Sequence, residues 1–204
     1  MIAGLILAGG RSSRMGGGDK PLLHLAGRPI LAHIVERLRP QVDLLALNAN
    51  GDPARFEAFG LPVVEDTIAG FEGPLAGLLA GLDWAATHAG VTHIASVAGD
   101  TPFVPRDLVQ RLADTSRTRI VLAASDGETH PVVGLWPLGV RENLRAFLAG
   151  GTTRRVRTFT EAEQALAVDF PLARAKGRTV DPFFNVNTPG DLAEAEAIAE
   201  DLAP

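Results

Sequence analysis

Cysteine is absent from the 204 residues. Its absence excludes disulfides, thiolate nucleophiles and cysteine-based zinc sites together. Basic charge is not in excess either. The net charge is -5 and the sequence pI is near 5.5, so the chain lacks the overall basic character of a nucleic-acid binder. No apolar run is long enough to suggest a membrane span or a leader. Met1 to Ala8 is apolar but has no basic segment before it, and Gly9-Gly10-Arg11 interrupts it at once. The run reads as a buried first strand, and the expected location is the cytoplasm with no membrane partner. Repeats, heptads, low-complexity tracts and long linkers are also missing, which points to one domain over residues 1–204.

What is present suits an ordinary globular chain. Hydrophobic residues make up 46% and charged residues 21%, and a domain of this length can bury roughly 70% of its unfolded surface. Apolar runs bounded by turn residues alternate with helical patterns. Ile2 to Ala8, Val42 to Leu47, Pro62 to Glu65 and His93 to Ala98 read as strands. Between and after them, Ile30 to Leu38, Ala54 to Phe59, a stripe of Leu75, Leu78, Leu79 and Leu82, and Pro105 to Leu112 read as helices. Arg119 to Ala124 and His130 to Trp136 read as two strands joined by a turn at Asp126-Gly127. Leu138 to Leu148, Thr153 to Gln164 and Pro189 to Leu202 are further helical stretches, with a strand at Leu166 to Asp169. This alternation predicts an α/β fold: a mostly parallel, mixed sheet in a three-layer Rossmann-like arrangement, with helices on both faces.

In such sheets ligands bind beyond the carboxyl ends of the strands, so the segments that follow them are the candidates. After the first strand comes Gly9-Gly10-Arg11-Ser12-Ser13-Arg14-Met15-Gly16-Gly17-Gly18-Asp19-Lys20-Pro21. Its glycines let the backbone approach a ligand and present N–H groups to phosphates, and Arg14 and Lys20 can neutralise a triphosphate. It is not a Walker A loop, since Lys20 precedes Pro21 rather than Ser or Thr, and it has no Gly-x-Gly-x-x-Gly spacing. Asp100 follows the fourth strand. It is placed either to hold Mg²⁺ or to start a turn. Asn48-Ala49-Asn50 and Glu65-Asp66 follow the second and third strands, where they either read a base or ribose or simply form turns. Arg154, Arg155 and Arg157 form the one basic run, as a solvated face or an anion site. His24, His33, His88 and His93 have no ligand spacing and read as structural. His130 is either a polar residue at a strand entrance or a substrate contact. Trp84 and Trp136 are expected in the core.

Together these segments resemble the molybdenum cofactor guanylyltransferase family of nucleotidyltransferases. The resemblance is carried by Leu7-Ala8-Gly9-Gly10-Arg11-Ser12-Ser13-Arg14-Met15-Gly16 with Asp19-Lys20, then Asn48-Ala49-Asn50 and Glu65-Asp66. Gly73-Pro74-Leu75-Ala76-Gly77, Asp100-Thr101-Pro102-Phe103, His130-Pro131 and Phe184-Asn185-Val186-Asn187-Thr188-Pro189 continue it. The resemblance implies transfer of GMP from GTP to the terminal phosphate of molybdopterin, with release of pyrophosphate and Mg²⁺ as cofactor. It implies nucleotide binding by Leu7, Ala8, Gly9, Gly10, Lys20, Asn48, Asp66 and Asp100. It makes Lys20, Arg14 and Asp100 the catalytic residues, with Asp100 as the metal ligand. Gly73, Pro74, Leu75, Arg155, Asn185 and Asn187 would lie on the pterin side. Molybdoenzyme acceptors or cofactor-biosynthesis proteins would be further partners. The nearest alternative is the cytidylyl-transferring relative, in which Ala is expected where Gly9 stands; a GTP-binding carrier without catalysis is the other.

Overall fold

The computed structural model describes residues 1–9, 19–68, 73–151 and 153–202. The chain opens with β1 (Ile2–Leu7), the buried strand expected from its apolar run. A short hairpin, β2 (His24–Leu25) and β3 (Arg28–Pro29), leads to α1 (Ile30–Leu38). Then come β4 (Leu44–Asn48), a 3-10 turn over Pro53–Phe59, and β5 (Val63–Val64). Next are α2 (Pro74–Ala86), β6 (His93–Ala98), α3 (Leu108–Thr115), β7 (Val121–Ser125) and β8 (Glu128–Pro137). The chain finishes with α4 (Arg141–Ala149), α5 (Val156–Ala162), β9 (Leu166–Asp169), a second hairpin of β10 (Ala173–Ala175) and β11 (Arg178–Val180), and α6 (Pro189–Leu202). The helix expected from Pro105 starts at Leu108, because Pro105 and Arg106 remain outside it. The segment expected to be helical from Thr153 is helical only from Val156.

Seven strands form one sheet in the order β5-β4-β1-β6-β8-β7-β9. β8 pairs antiparallel with both neighbours, while the remaining pairs are parallel. The mixed α/β sheet predicted from the sequence is therefore present. Side chains on successive strand positions point to opposite faces, so the apolar run of β1 feeds two cores. Ile6 joins the core with Leu31, Ile34, Leu108 and Leu112 from α1 and α3. Leu5 and Leu7 join the other, with Leu78, Leu79 and Leu82 of α2, Leu144 of α4 and Phe159 of α5. Each such fully buried side chain contributes about 1.5–3 kcal/mol of transfer free energy.

Two features set the backbone around the future site. The first is how closely α2 lies on β1. A Cβ on Gly77 would stand 2.1 Å from Asn48 Oδ1, and one on Gly81 would stand 2.3 Å from a Leu5 methyl. The second is a bulge in β8. Leu122 pairs with Gly134 but the next residue, Ala123, pairs with His130, so Pro131, Val132 and Val133 have no partners on β7. The carbonyl of Val132 accepts from Ser96 Oγ at 2.6 Å, and Ser96 Oγ accepts from Trp136 Nε1 at 2.7 Å. Ser96 and Trp136 are fully buried, so this chain satisfies polar groups that would otherwise be costly. It pins the bulge at the carboxyl end of the sheet.

The start of α6 is capped reciprocally. Thr188 Oγ1 accepts from the Asp191 N–H at 3.1 Å, and Asp191 Oδ2 accepts from the Thr188 and Asn187 N–H groups, each at 2.8 Å. This is a capping box with Asp in the acidic position. The Asn187 amide, helped by that of Thr188 and by the distant charge of Lys20, lowers the pKa of Asp191 below its ordinary value.

Two outcomes are expected. Gly134→Ala places a Cβ 2.6 Å from the Val121 carbonyl oxygen. Backbone cannot yield cheaply, so the loss of stability should be about 1–3 kcal/mol, read from denaturant midpoints; an unchanged midpoint would show that the bulge does not need glycine. For Asp191, folding lowers the affinity for a proton. Its stabilising contribution is therefore present above the ordinary aspartate value of about 3.9 and is lost as pH falls through the lower folded value. The midpoint difference between the protein and its Asp191→Asn variant should thus be seen at neutral pH and vanish in strong acid.

Candidate active site

Strand order reverses on either side of β1, between β4 and β6. That is the switch point at which an open α/β sheet leaves a crevice beyond its carboxyl ends. Leu7 at the end of β1 lies beside Asn48 of β4 and Ala98 of β6. The backbone just beyond is held in the sheet: the Leu7 carbonyl accepts from the Gly99 N–H, and the Ala8 N–H donates to the Asn48 carbonyl, both at 2.9 Å. Gly99 sits so close to Leu7 and Ala8 that a Cβ there would meet the Leu7 oxygen at 2.9 Å. Gly9 is exposed. Gly10 and Arg14 lie outside the described residues.

Lys20 meets Asp100 in this crevice. Its Nζ donates to Asp100 Oδ2 at 2.9 Å and to Asn187 Oδ1 at 2.6 Å. An ammonium carries three protons, so one donor is left for a ligand. The side chains of Lys20 and Asp100 are 18% and 21% exposed, which keeps solvent screening of the pair modest. Asp100 is fixed from behind by its backbone, whose carbonyl accepts from the Val186 N–H at 2.9 Å. Next to it, buried Thr101 donates to Asn185 Oδ1 at 2.7 Å. The segment from Asn185 to Asn187 is thereby tied to Asp100 on one side and to the α6 cap on the other.

A second group forms over β4 and β5. Asn48 Nδ2 donates to Asp66 Oδ1 at 2.9 Å and to the Val64 carbonyl at 3.0 Å. Asn50 Nδ2 donates to Asp66 Oδ2 at 2.8 Å, and the Asp66 N–H donates to Asn50 Oδ1 at 2.9 Å. Asn48 is only 5% exposed, with both amide hydrogens committed, so it supports Asp66 rather than facing solvent. Arg55 joins the two groups. It pairs with Asp19, the residue before Lys20, at 2.9 Å, and also donates to the Asn50 carbonyl.

The pterin-side residues are only partly brought together. Asn185 and Asn187 belong to the cluster. Gly73 caps α2 and Pro74 is its first residue, both exposed. Leu75 is 1% exposed and packs with Leu78 and Leu79, which corrects the expectation for its side chain: the helix stripe claims it for the core. Arg155 is the exposed N-cap of α5. Among the described residues its side chain has no hydrogen bond or ion pair to the Lys20–Asp100 cluster. Sequence reasoning missed Arg55 and Asp191, of which only Asp191 left a signal, the Thr-x-x-Asp spacing before a helix; Thr101 stood in the Asp100-Thr101-Pro102-Phe103 motif without a role of its own. His33 and His93 are structural as expected, bonded to the carbonyls of Leu25 and Arg117 at 2.8 Å each.

Asp100 suits a shared magnesium site. Its Oδ1 has only a long 3.5 Å contact with Thr101 Oγ1, and magnesium is commonly held by one or two carboxylates plus substrate phosphates. Among the described residues no cluster of three His, Cys, Asp or Glu could build a metal cage from protein alone. A cavity of about 410 Å³ lies elsewhere, lined by Val42, Leu44 and Trp84 near the start of β4. It carries none of these groups. No helix among the described residues is long and apolar enough to cross a membrane.

Comparison with known proteins places the chain among nucleotidyltransferases. Over 202 residues the chain is 54% identical to a molybdenum cofactor guanylyltransferase of Bradyrhizobium sp. (strain ORS 278), covering 97% of this chain and 93% of that protein. A protein of the same name from Mesorhizobium japonicum is 48% identical over 204 residues, covering 98% and 97%. Among solved structures, molybdopterin-guanine dinucleotide biosynthesis protein A of Archaeoglobus fulgidus superposes with a TM-score of 0.72 at 21% identity, covering 99% of this chain and 100% of that one. The 4-diphosphocytidyl-2C-methyl-D-erythritol synthase of Anaerococcus prevotii gives 0.74 at 14% identity, covering 98% and 96%. At these identities the two structures speak for the fold alone. The family profile described as the MobA-like NTP transferase domain matches residues 4–169, and the chain belongs to that family.

Proposed function

We infer that this protein transfers GMP from GTP to the terminal phosphate of molybdopterin, releasing pyrophosphate, with Mg²⁺ held at Asp100. The observation that carries the reading is the Lys20–Asp100–Asn187 junction at the switch point. The relatives named molybdenum cofactor guanylyltransferase supply the nucleotide and the acceptor.

The chemistry asks little of the protein in proton transfer. A phosphate monoester has a second pKa of about 6, so near neutral pH its dianion is already a nucleophile. One of its oxygens bonds to the α-phosphorus of GTP, the bond from that phosphorus to the bridging oxygen breaks, and pyrophosphate leaves with the electron pair. The task is to bring two anions together in line and offset their repulsion. Lys20 does this with its free donor, and Arg14 is assigned the same role from the loop motif. Asp100 would hold Mg²⁺, which would supply further positive charge to offset the repulsion of the phosphates. Asp66, squared up by Asn48 and Asn50, accepts hydrogen bonds from the nucleoside. Arg55 ties that shelf to the stretch carrying Lys20, so that nucleoside and phosphates are registered to each other.

Gly9 bears on the choice of base. A Cβ there would come no nearer than 3.8 Å to any described protein atom. Packing with those residues therefore does not demand glycine, and the missing methyl group leaves room for a ligand. This favours guanine over the cytidylyl alternative, where Ala is expected.

The test is pyrophosphate release from purified protein with Mg²⁺, molybdopterin and GTP or CTP. Release with GTP is expected, lost in Asp100→Ala and slowed on the order of 10²–10³-fold in Lys20→Ala. Unchanged turnover in Lys20→Ala would remove it from the mechanism. Tight GTP binding without pyrophosphate release would point to a carrier. Gly9→Ala should fold normally and lower the GTP-to-CTP rate ratio; an unaltered ratio would show that base selection lies elsewhere.

A further inference from the structure

The bulge in β8 has a second product, a hydrogen-bonded chain that the nucleotide reading does not use. β8 pairs with β6 as far as Ser96 opposite Gly134, and its earlier residues run on toward the carboxyl end of the sheet. His130 lies on that extension. Its Nε2 is 2.6 Å from Ser125 Oγ, and Ser125 Oγ is 2.8 Å from Asp181 Oδ1. Asp181 Oδ1 also accepts from the Phe183 N–H at 2.8 Å. The imidazole rests on the buried Phe183 ring, with centroids 4.6 Å apart. Asp181 and Phe183 immediately precede the Asn185–Asn187 segment that joins Asp100 and Lys20. His130 is thus tied to the same strap as the reaction centre, over β7 and β8. The nucleoside shelf lies across the sheet over β4 and β5.

Hydrogen-bond logic fixes the state of the ring. A carboxylate only accepts, so the single Ser125 proton goes to Asp181. Ser125 Oγ must then accept from His130, which places the ring proton on Nε2 and leaves Nδ1 as an acceptor. Among the described residues Nδ1 has no hydrogen-bond partner, and the side chain is only half-buried. Burial lowers the proton affinity of the ring below that of an ordinary histidine, against the opposing pull of Asp181 and Glu128. Near pH 7 the ring is therefore neutral.

We propose that His130 contacts the acceptor substrate: its Nδ1 accepts a hydrogen bond from a ring N–H or amino group of the heterocycle that bears the attacking phosphate. Ser125 and Asp181 are positioning residues that act through it. The contact rests on the guanylyl-transfer reading above and adds to it a determinant for the heterocycle. A pterin, which carries both ring N–H and amino donors, fits this acceptor; a sugar phosphate has no N–H to offer.

Two variants separate contact from scaffold. His130→Asn can keep an acceptor near the Nδ1 position while giving up Ser125. His130→Gln can keep a donor to Ser125 while giving up the acceptor. Steady-state pyrophosphate release with Mg²⁺, GTP and molybdopterin gives KM for each substrate, and molybdopterin binding without GTP gives a readout apart from turnover. The expected result is a KM and Kd for molybdopterin about three- to tenfold higher in His130→Gln, less affected in His130→Asn, with KM for GTP unchanged in both. Nitrogen-15 spectra of the histidine rings should show His130 protonated on Nε2 at pH 7. A Gln variant equal to the unaltered protein, or an Nδ1-protonated ring, would overturn the contact and leave guanylyl transfer standing. Failure of the unaltered protein to release pyrophosphate from GTP and molybdopterin would overturn both.

Discussion

One ammonium group gathers the molecule. Lys20 Nζ bonds Asp100, 80 positions away, and Asn187, 167 positions away. Those three positions lie in the loop after β1, the turn after β6 and the approach to α6, so the cluster exists only when the whole sheet is in register. The pair is partly shielded from solvent, where an attraction between charges is worth more than on an open surface. The energy of the pair matters less than its geometry. It fixes a cation, a carboxylate and an amide at the reversal of strand order, and every other group in the site is placed relative to them.

The rest of the architecture keeps that point rigid. Helix α2 approaches β1 so closely that Gly77 and Gly81 have no space for a side chain, which seats Asn48 and so Asp66. On the other side, the Trp136–Ser96–Val132 chain holds a bulge whose extra residues redirect the start of β8. Bulges of this kind re-aim side chains near functional sites. Between these two devices lies the crevice, which under the proposed reading has a nucleoside side and an acceptor side with the reacting phosphates in the middle.

Much of this was legible in the sequence because the signals were long or chemically narrow. The runs forming β1, β4 and β6 are continuous and apolar, as strands buried on both faces must be. Lys20 and Asp100 stood after strands, where sheet geometry puts ligand groups. The hairpins β2–β3 and β10–β11 were not legible, since strands of two or three residues are too short to show a period. Leu75 shows two readings in conflict: a loop motif claimed it for the ligand and a helical stripe for the core, and burial followed the stripe. Arg55 with Asp19, and Ser125 with Asp181, are pairings between distant segments. No local pattern encodes them; only the closed sheet brings them together.

The position of Asn187 also sets an order of assembly during synthesis. At roughly 5–20 residues per second, the 167 positions between Lys20 and Asn187 separate their emergence by on the order of ten to thirty seconds. Within that interval β4, β5 and β6 emerge and become available to pair with β1, and the group of Asn48, Asn50 and Asp66 can form. The lysine lacks its second partner and Asp100 lacks its backbone tie to Val186 until the strap before α6 arrives. Under the proposed reading, a nascent chain therefore acquires a place for the nucleoside before it acquires a finished centre for the transfer, and the strap before α6 is what completes it.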